Sequence, residues 1–116
     1  MPRTAIVAAN FEMFSGNTRV LKVNVLDQDE AVVDLTGATA EFIFAKRAGH
    51  EAIFSKTVGS GIVITDAANG LLEVTLAPAD TETLSGAYYH ELEVTDAGGR
   101  KTTVLFGTAT VRRNVA

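Results

Sequence analysis

Residues 84–111 read LSGAYYHELEVTDAGGRKTTVLFGTATV, and this stretch decides the fold. Two runs rich in β-branched and aromatic residues flank residues 95–100, which include adjacent glycines. This pattern is typical of a β-hairpin whose loop is longer than two residues. We expect the rest of the chain to supply further strands that pack onto this hairpin.

The composition is that of one globular domain. Of the 116 residues, 47% are hydrophobic and 21% are charged, which is too apolar for a disordered chain. The absence of cysteine excludes disulfides and thiolate metal sites. The formal net charge is -4, and a nucleic-acid-binding surface normally carries an excess of Lys and Arg. We therefore expect no nucleic-acid partner.

The N-terminal segment does not have the pattern of a membrane or export signal. No apolar run approaches the ~20 residues of a membrane-spanning helix, so we expect no membrane partner. Residues 1–10 read MPRTAIVAAN, and their apolar run is shorter than the ~7–15 residues of a signal peptide. We predict a single domain over residues 1–116, made in the cytoplasm, with residues 1–10 as an arm or edge strand. A cleaved signal peptide is the less favoured alternative.

Alternation of apolar and polar residues predicts about seven to nine short strands. The face of the strand over 38–46 that carries Phe42 and Phe44 is assigned to the core, because these side chains bury the most apolar area. On the strand over 52–58 we expect Ile53 to reach inward, with Phe54 as a second candidate. Other inward-facing residues are expected to be Leu21, Val23, Val25, Leu72, Val74 and Leu76. Pro78 and the acidic residues that follow it predict one helical turn near 78–84.

Turn signals recur about every ten residues, and no long amphipathic helix is present. This spacing predicts an all-β, immunoglobulin-like antiparallel β-sandwich. In such domains a Tyr follows a tight corner, two residues before a core cysteine. The sequence GAYYH at 86–90 has this shape. We therefore predict that Tyr88 forms a structural corner and that His90 occupies the place of the cysteine.

Residues with reactive side chains lack the surroundings of a catalytic or metal site. His90 alternates with apolar residues, which favours a buried structural role over catalysis, and His50 lies in a polar loop. The acidic group Asp27, Asp29 and Glu30 lacks the regular ligand series and the glycine of a calcium loop, so a solvated hairpin tip explains it. We predict no enzyme, no catalytic residue, no cofactor and no metal.

Four apolar residues are predicted on outward faces: Ile43, Leu71, Val104 and Phe106. On the last strand, Val104 and Phe106 are expected to face opposite Leu105 and Val111, so that both faces are apolar. Extra apolar surface of this kind predicts contact with another subunit. The alternative is that scattered exposed apolar residues are normal in soluble proteins.

Several turn-and-strand motifs together carry a resemblance that extends from about Phe11 to Val111. They are GNT at 16–18 before LKV at 21–23, DLTGA at 34–38, Gly70 with VTL at 74–76, LSGAYYHELEV at 84–94, GR at 99–100 and GTATV at 107–111. In these motifs the chain resembles the immunoglobulin-like N-terminal domain of phage baseplate upper proteins and related phage tail or prophage proteins.

This resemblance implies a non-enzymatic structural or assembly module of a phage or prophage virion, in the tail, the baseplate or a head–tail accessory. Its partners would be other virion proteins, and it would form a homo-oligomer through protein–protein contacts. The alternative is an immunoglobulin-like module that binds carbohydrate or a host surface. That function needs an exposed aromatic platform, for which Tyr89 and Phe106 are the candidates.

Overall fold

The computed structural model describes residues 7–115, which form nine strands and two short helical turns. The strands are β1 (Val7–Ala8), β2 (Phe11–Phe14), β3 (Arg19–Asn24), β4 (Thr39–Ala45), β5 (Ala52–Val58), β6 (Gly61–Asp66), β7 (Leu71–Leu76), β8 (Gly86–Thr95) and β9 (Lys101–Arg112). A 3-10 turn covers Ala67–Asn69, and α1 covers Pro78–Thr81. The all-β class, the number of strands and the helical turn predicted near 78–84 are confirmed.

The strands follow one hydrogen-bonded path in the order β1-β9-β8-β4-β5-β6-β7-β3, and β2 also pairs with β9. The link between β5 and β6 consists of only two residue pairs beside a tight turn, so the sheet folds back there. The larger layer contains β1, β2, β9, β8, β4 and β5, and the smaller layer contains β6, β7 and β3. Pairing is antiparallel except at the β5–β6 link and where β1 and β2 run parallel to β9. This arrangement is an immunoglobulin-like sandwich.

The core lies between the two layers and is built by alternate residues of both. The larger layer contributes Phe42 and Phe44, which are 0% exposed, as the sequence predicts. The smaller layer contributes Leu72, Val74 and Leu76, whose predicted inward orientation is also confirmed. Val23 and Val25 are buried with them, whereas Leu21 is only partly buried at the edge of the core.

The inward prediction for Ile53 is wrong. Ile53 is 45% exposed, whereas Phe54 is partly buried and stacks on Phe44 with ring centres 4.8 Å apart. The pairing of β4 with β5 shifts between Phe44 and Ala45, whose partners are Phe54 and Ala52. Ile53 is therefore the extra residue of a β-bulge, and as the neighbour of the inward Phe54 it faces outward by ordinary alternation.

Candidate interaction surface

Two of the four predicted contact residues lie together on the outward side of the larger layer. In the strand register Ile43 pairs with Glu91, and Glu91 pairs with Phe106, so the three form one row across β4, β8 and β9. Phe106 is 38% exposed, and Ile43 is partly exposed. The next row of the same side places Glu41 beside Glu93. We call these five residues the outer face: Glu41, Ile43, Glu91, Glu93 and Phe106.

The outer face combines apolar side chains with an unfavourable pairing of charges. Glu41 and Glu93 are direct partners on adjacent antiparallel strands, where like charges destabilise a sheet. The carboxylate of Glu91 is engaged differently, because its Oε1 accepts a hydrogen bond of 2.9 Å from the Tyr89 hydroxyl. Burial, together with that hydrogen bond, raises the pKa of Tyr89 above its ordinary value. The Tyr89 hydroxyl group therefore uses its proton in a hydrogen bond within the chain.

Leu71 lies on the other layer, away from the outer face. It begins β7 and is 37% exposed, on the same outward side as Val63, which is 60% exposed. Ile43 and Phe106 therefore do not share a surface with Leu71.

The prediction that Val104 lies on an outward face is wrong. Val104 is 4% exposed and belongs to the core. The register of β8 and β9 shifts so that Leu92 pairs with Leu105, whereas Glu93 pairs with Thr103. Val104 is the extra residue of a second β-bulge, which reverses the alternation of β9. As a result Val104 points inward while Phe106, two residues later, points outward.

Tyr88 lies at the start of β8 and closes a local loop through its hydroxyl group. The hydroxyl donates to the carbonyl oxygen of Ser85 at 3.1 Å and accepts from the Ser85 N–H at 3.2 Å. Its ring also packs on Phe44, with ring centres 5.3 Å apart. These contacts fix the chain where it enters β8.

His90 is buried between the aromatic rings of the core. It is 1% exposed, and its ring centre lies 4.9 Å from that of Phe11 and 5.7 Å from that of Phe42. Its Nε2 lies 2.7 Å from the carbonyl oxygen of Ala9, so Nε2 carries the proton and donates. Nδ1 is buried without a hydrogen-bond partner in the described part of the chain. Burial lowers the pKa of His90 below its ordinary value, although the bond to Ala9 opposes this effect.

Gly107 makes the contact between His90 and Ala9 geometrically feasible, and sequence reasoning gave it no such role. Gly107 is the register partner of His90, and a Cβ atom placed on it would lie 2.0 Å from the Ala9 carbonyl oxygen. Only a residue without a side chain lets the N-terminal strand approach so closely. The only sequence signal is a glycine inside a strand pattern.

The acidic loop has a local structural explanation. Oδ1 of Asp27 accepts hydrogen bonds from the N–H groups of Asp29 and Ala31 at 2.8 and 2.9 Å, which is the behaviour of an Asp that stabilises a turn. Across residues 7–115 no three His, Asp or Glu side chains gather in a way that would hold a metal ion. None of the helices described is long and apolar enough to cross a membrane.

Comparison with solved structures gives matches of low similarity. The fibronectin(III)-like modules of CbhA from Clostridium thermocellum share 12% identity with this chain, at a TM-score of 0.46, over 97% of this chain and 98% of theirs. AggA, the major subunit of aggregative adherence fimbriae type I from Escherichia coli, shares 17% identity at a TM-score of 0.42, over 93% and 91%. A search of curated proteins gave no significant match.

The family comparison covers nearly the whole described chain. The model of the BppU N-terminal domain matches residues 7–113, which span every strand of both layers. The resemblance inferred from the sequence motifs is thereby confirmed, and it implies a structural role in the phage baseplate. The chain belongs to the family of N-terminal domains of phage baseplate upper proteins.

Proposed function

We propose that this chain is a non-enzymatic structural module of a phage or prophage virion and that it assembles through protein–protein contacts. The observation that carries the proposal is the family match over residues 7–113. The partners are other virion proteins and further copies of the same chain.

Within this function, the outer face is the contact with another copy of the chain. Phe106 and Ile43 offer apolar area there, and the opposed Glu41 and Glu93 raise the free energy of the isolated chain. A contact that covers Phe106 and Ile43 removes their apolar area from water. If the partner also supplies a cation near Glu41 and Glu93, the repulsion between these two carboxylates is offset.

Light scattering after gel filtration tests the subunit contact. We expect the unmodified chain to form a defined oligomer and Phe106→Glu to reduce it to a monomer, because a fourth carboxylate, beside those of Glu41, Glu91 and Glu93, would be placed at the apolar centre of the contact. Val63→Glu is the matched control, since Val63 is 60% exposed on the opposite layer; this variant should keep the oligomer. A monomeric unmodified chain at high protein concentration would contradict the proposed subunit contact.

Mass spectrometry of purified phage particles tests the virion role separately. We expect the protein in stoichiometric amount in particles and in tail fractions. Its absence from complete particles would contradict a structural role. Specific binding on a glycan array would favour the carbohydrate-binding alternative instead.

A further inference from the structure

The strand β3 forms a sheet edge that has one unpaired side. Over residues 7–115, β3 (Arg19–Asn24) pairs with β7 and with no other strand. The two N-terminal strands β1 and β2 pair with β9 on the other layer. The side of β3 that faces away from β7 is therefore open, and such an edge is a template for an added strand.

The register identifies the backbone groups on this open side. The Val25 N–H donates to the Gly70 carbonyl at 2.8 Å, in the same register as the β3–β7 pairs. Successive residues of an antiparallel strand direct their N–H and C=O groups to opposite sides. The free groups are therefore those of Val20, Lys22 and Asn24.

An apolar groove follows the same edge on its inner side. Two clefts of about 230 and 200 Å³ lie along β3. They share Lys22, Val23 and Leu105 as lining residues, so they form one continuous groove between β3 and the strands β2 and β9. We call this the β3 groove, lined by Phe11, Arg19, Leu21, Lys22, Val23 and Leu105.

The charged side chains that line the β3 groove are all basic. They are Arg19 and Lys22, although the chain as a whole has a net charge of -4. The guanidinium carbon of Arg19 lies 5.4 Å from the centre of the Phe11 ring, so this cation spans from β3 to β2 at one end. An acidic partner matches this local charge.

We propose that the β3 groove binds an extended, acidic segment of another protein as an additional strand. The segment hydrogen-bonds to the free backbone groups of Val20, Lys22 and Asn24. Its alternate apolar side chains enter the groove beside Leu21 and Val23, and its carboxylates, on the opposite face, approach Lys22. Because β3 has six residues, the bound segment is about 20 Å long. This surface is distinct from the outer face, so the proposal does not depend on the subunit contact made there.

A capped eight-residue peptide that alternates valine with glutamate is the probe, and peptide titration followed by amide NMR is the measurement. We expect chemical-shift changes confined to β3 and the groove, and amide exchange of Lys22 and Asn24 slowed at least tenfold at saturation. A peptide that alternates valine with lysine should bind at least tenfold more weakly, because it places its cations on the face of β3 that carries Lys22.

Variants at Lys22 separate the backbone contribution from the charge. Lys22→Pro removes an N–H that does not bond to β7, and proline is tolerated on the open side of an edge strand. We expect it to weaken peptide binding about tenfold or more, whereas Lys22→Gln keeps the donor and should weaken binding less. If Lys22→Pro does not fold, a peptide N-methylated at its bonding residues gives the same test on the unmodified protein.

Three kinds of result would overturn the proposal. The first is a negative peptide result, either the absence of β3 shifts at millimolar valine–glutamate peptide or equal binding of the valine–lysine peptide. The second is slow exchange of the Lys22 amide in the free chain, together with fast exchange once residues 1–6 are deleted. This result would mean that the chain's own N-terminal segment occupies the edge. The third is protection of the same amides by concentration-dependent self-association, which would assign the edge to a second copy. The loss of the oligomer in Phe106→Glu, by contrast, tests the outer face and leaves these readouts unchanged.

Discussion

The apolar core accommodates the polar side chain of His90 with the help of Ala9 and Gly107. The imidazole Nε2–H is satisfied by the Ala9 carbonyl at 2.7 Å, and the missing side chain of Gly107 provides the space for that carbonyl. The imidazole can be neutral when buried, whereas a permanently charged group would carry a large desolvation cost. A histidine is therefore compatible with this position only while its second nitrogen is unprotonated.

We predict that stability depends on pH through His90. The folded state lowers the pKa of His90 mainly by burial, whereas the unfolded chain has the ordinary value near 6.5. Below that pH the unfolded state binds more protons than the folded state, so stability falls as the pH falls from about 6.5 toward the folded pKa. Above the unfolded pKa the full stability is retained. Urea unfolding at pH values between 5 and 7.5 measures this slope.

His90→Gln is the control for this pH dependence. The glutamine side chain keeps an N–H donor for the Ala9 carbonyl but does not titrate. We expect this variant to have a smaller slope of unfolding free energy against pH than the unmodified chain. His50 and the carboxyl groups are present in both proteins, so their contributions cancel in the difference. Identical slopes would show that protonation of His90 is not coupled to unfolding.

Residue-scale features differ in how far the sequence can predict them. The burial of His90 follows from its alternation with Leu92 and Val94, a local pattern within β8. The role of Gly107 depends on Ala9, a residue from a distant part of the chain that the parallel pairing of β1 with β9 brings close. Local patterns therefore identify which residues are buried, whereas tertiary pairing determines what each buried polar group meets.

At the scale of the strand, a β-bulge accounts for one of the two wrong predictions of side-chain orientation. In β9 the bulge inserts Val104 and so reverses which residues face the core. In β5 the prediction assigns the wrong face to the core, because Ile53 alternates with the inward Phe54. The bulge itself depends on the partner strand, and for this reason the inward position of Val104 could not be predicted from β9 alone.

The bulge at Val104 predicts an asymmetry between two valine-to-threonine substitutions. Val104→Thr places a hydroxyl group in the core with no built-in partner, so we expect a loss of about 1–3 kcal/mol of unfolding free energy. The same substitution at Val63, which is 60% exposed, should change stability by less than about 0.5 kcal/mol. Denaturant unfolding of both variants measures the difference. Equal and small losses of unfolding free energy in the two variants would indicate that Val104 is exposed, as simple alternation along β9 predicts.

At the scale of the whole molecule, the sequence predicts the number of strands better than their pairing. The strands, their turns and the Phe42–Phe44 core follow from local alternation. The parallel attachment of β1 and β2 to β9 follows from no local pattern, because it joins the two ends of the chain. This attachment leaves β3 open at the sheet edge and places Phe11 of β2 on the opposite wall of the β3 groove. The candidate surfaces thus depend on topology more than on motifs.

The two layers are also tied to each other by an ion pair outside the core. Nζ of Lys56 on β5 lies 2.7 Å from Oδ2 of Asp80 in α1, and each side chain is only 16% exposed. Because α1 directly follows β7 of the smaller layer, this pair joins the layers beside the corner where the sheet folds back. The same Asp80 oxygen accepts a 2.7 Å hydrogen bond from the Ala77 N–H, which fixes the carboxylate in place.

A double-mutant cycle measures this tie between the layers. Lys56→Met keeps the aliphatic stem and removes the charge, and Asp80→Asn keeps an oxygen that can accept from Ala77. We expect a coupling energy of about 1 kcal/mol, at the upper end of the range for exposed pairs because both groups are largely shielded and Asp80 is held by a second bond. The coupling should decrease in 1 M salt, where charges are screened over about 3 Å. A coupling below about 0.3 kcal/mol would mean that core packing alone holds the layers together at this corner, since each variant would then act independently of the other.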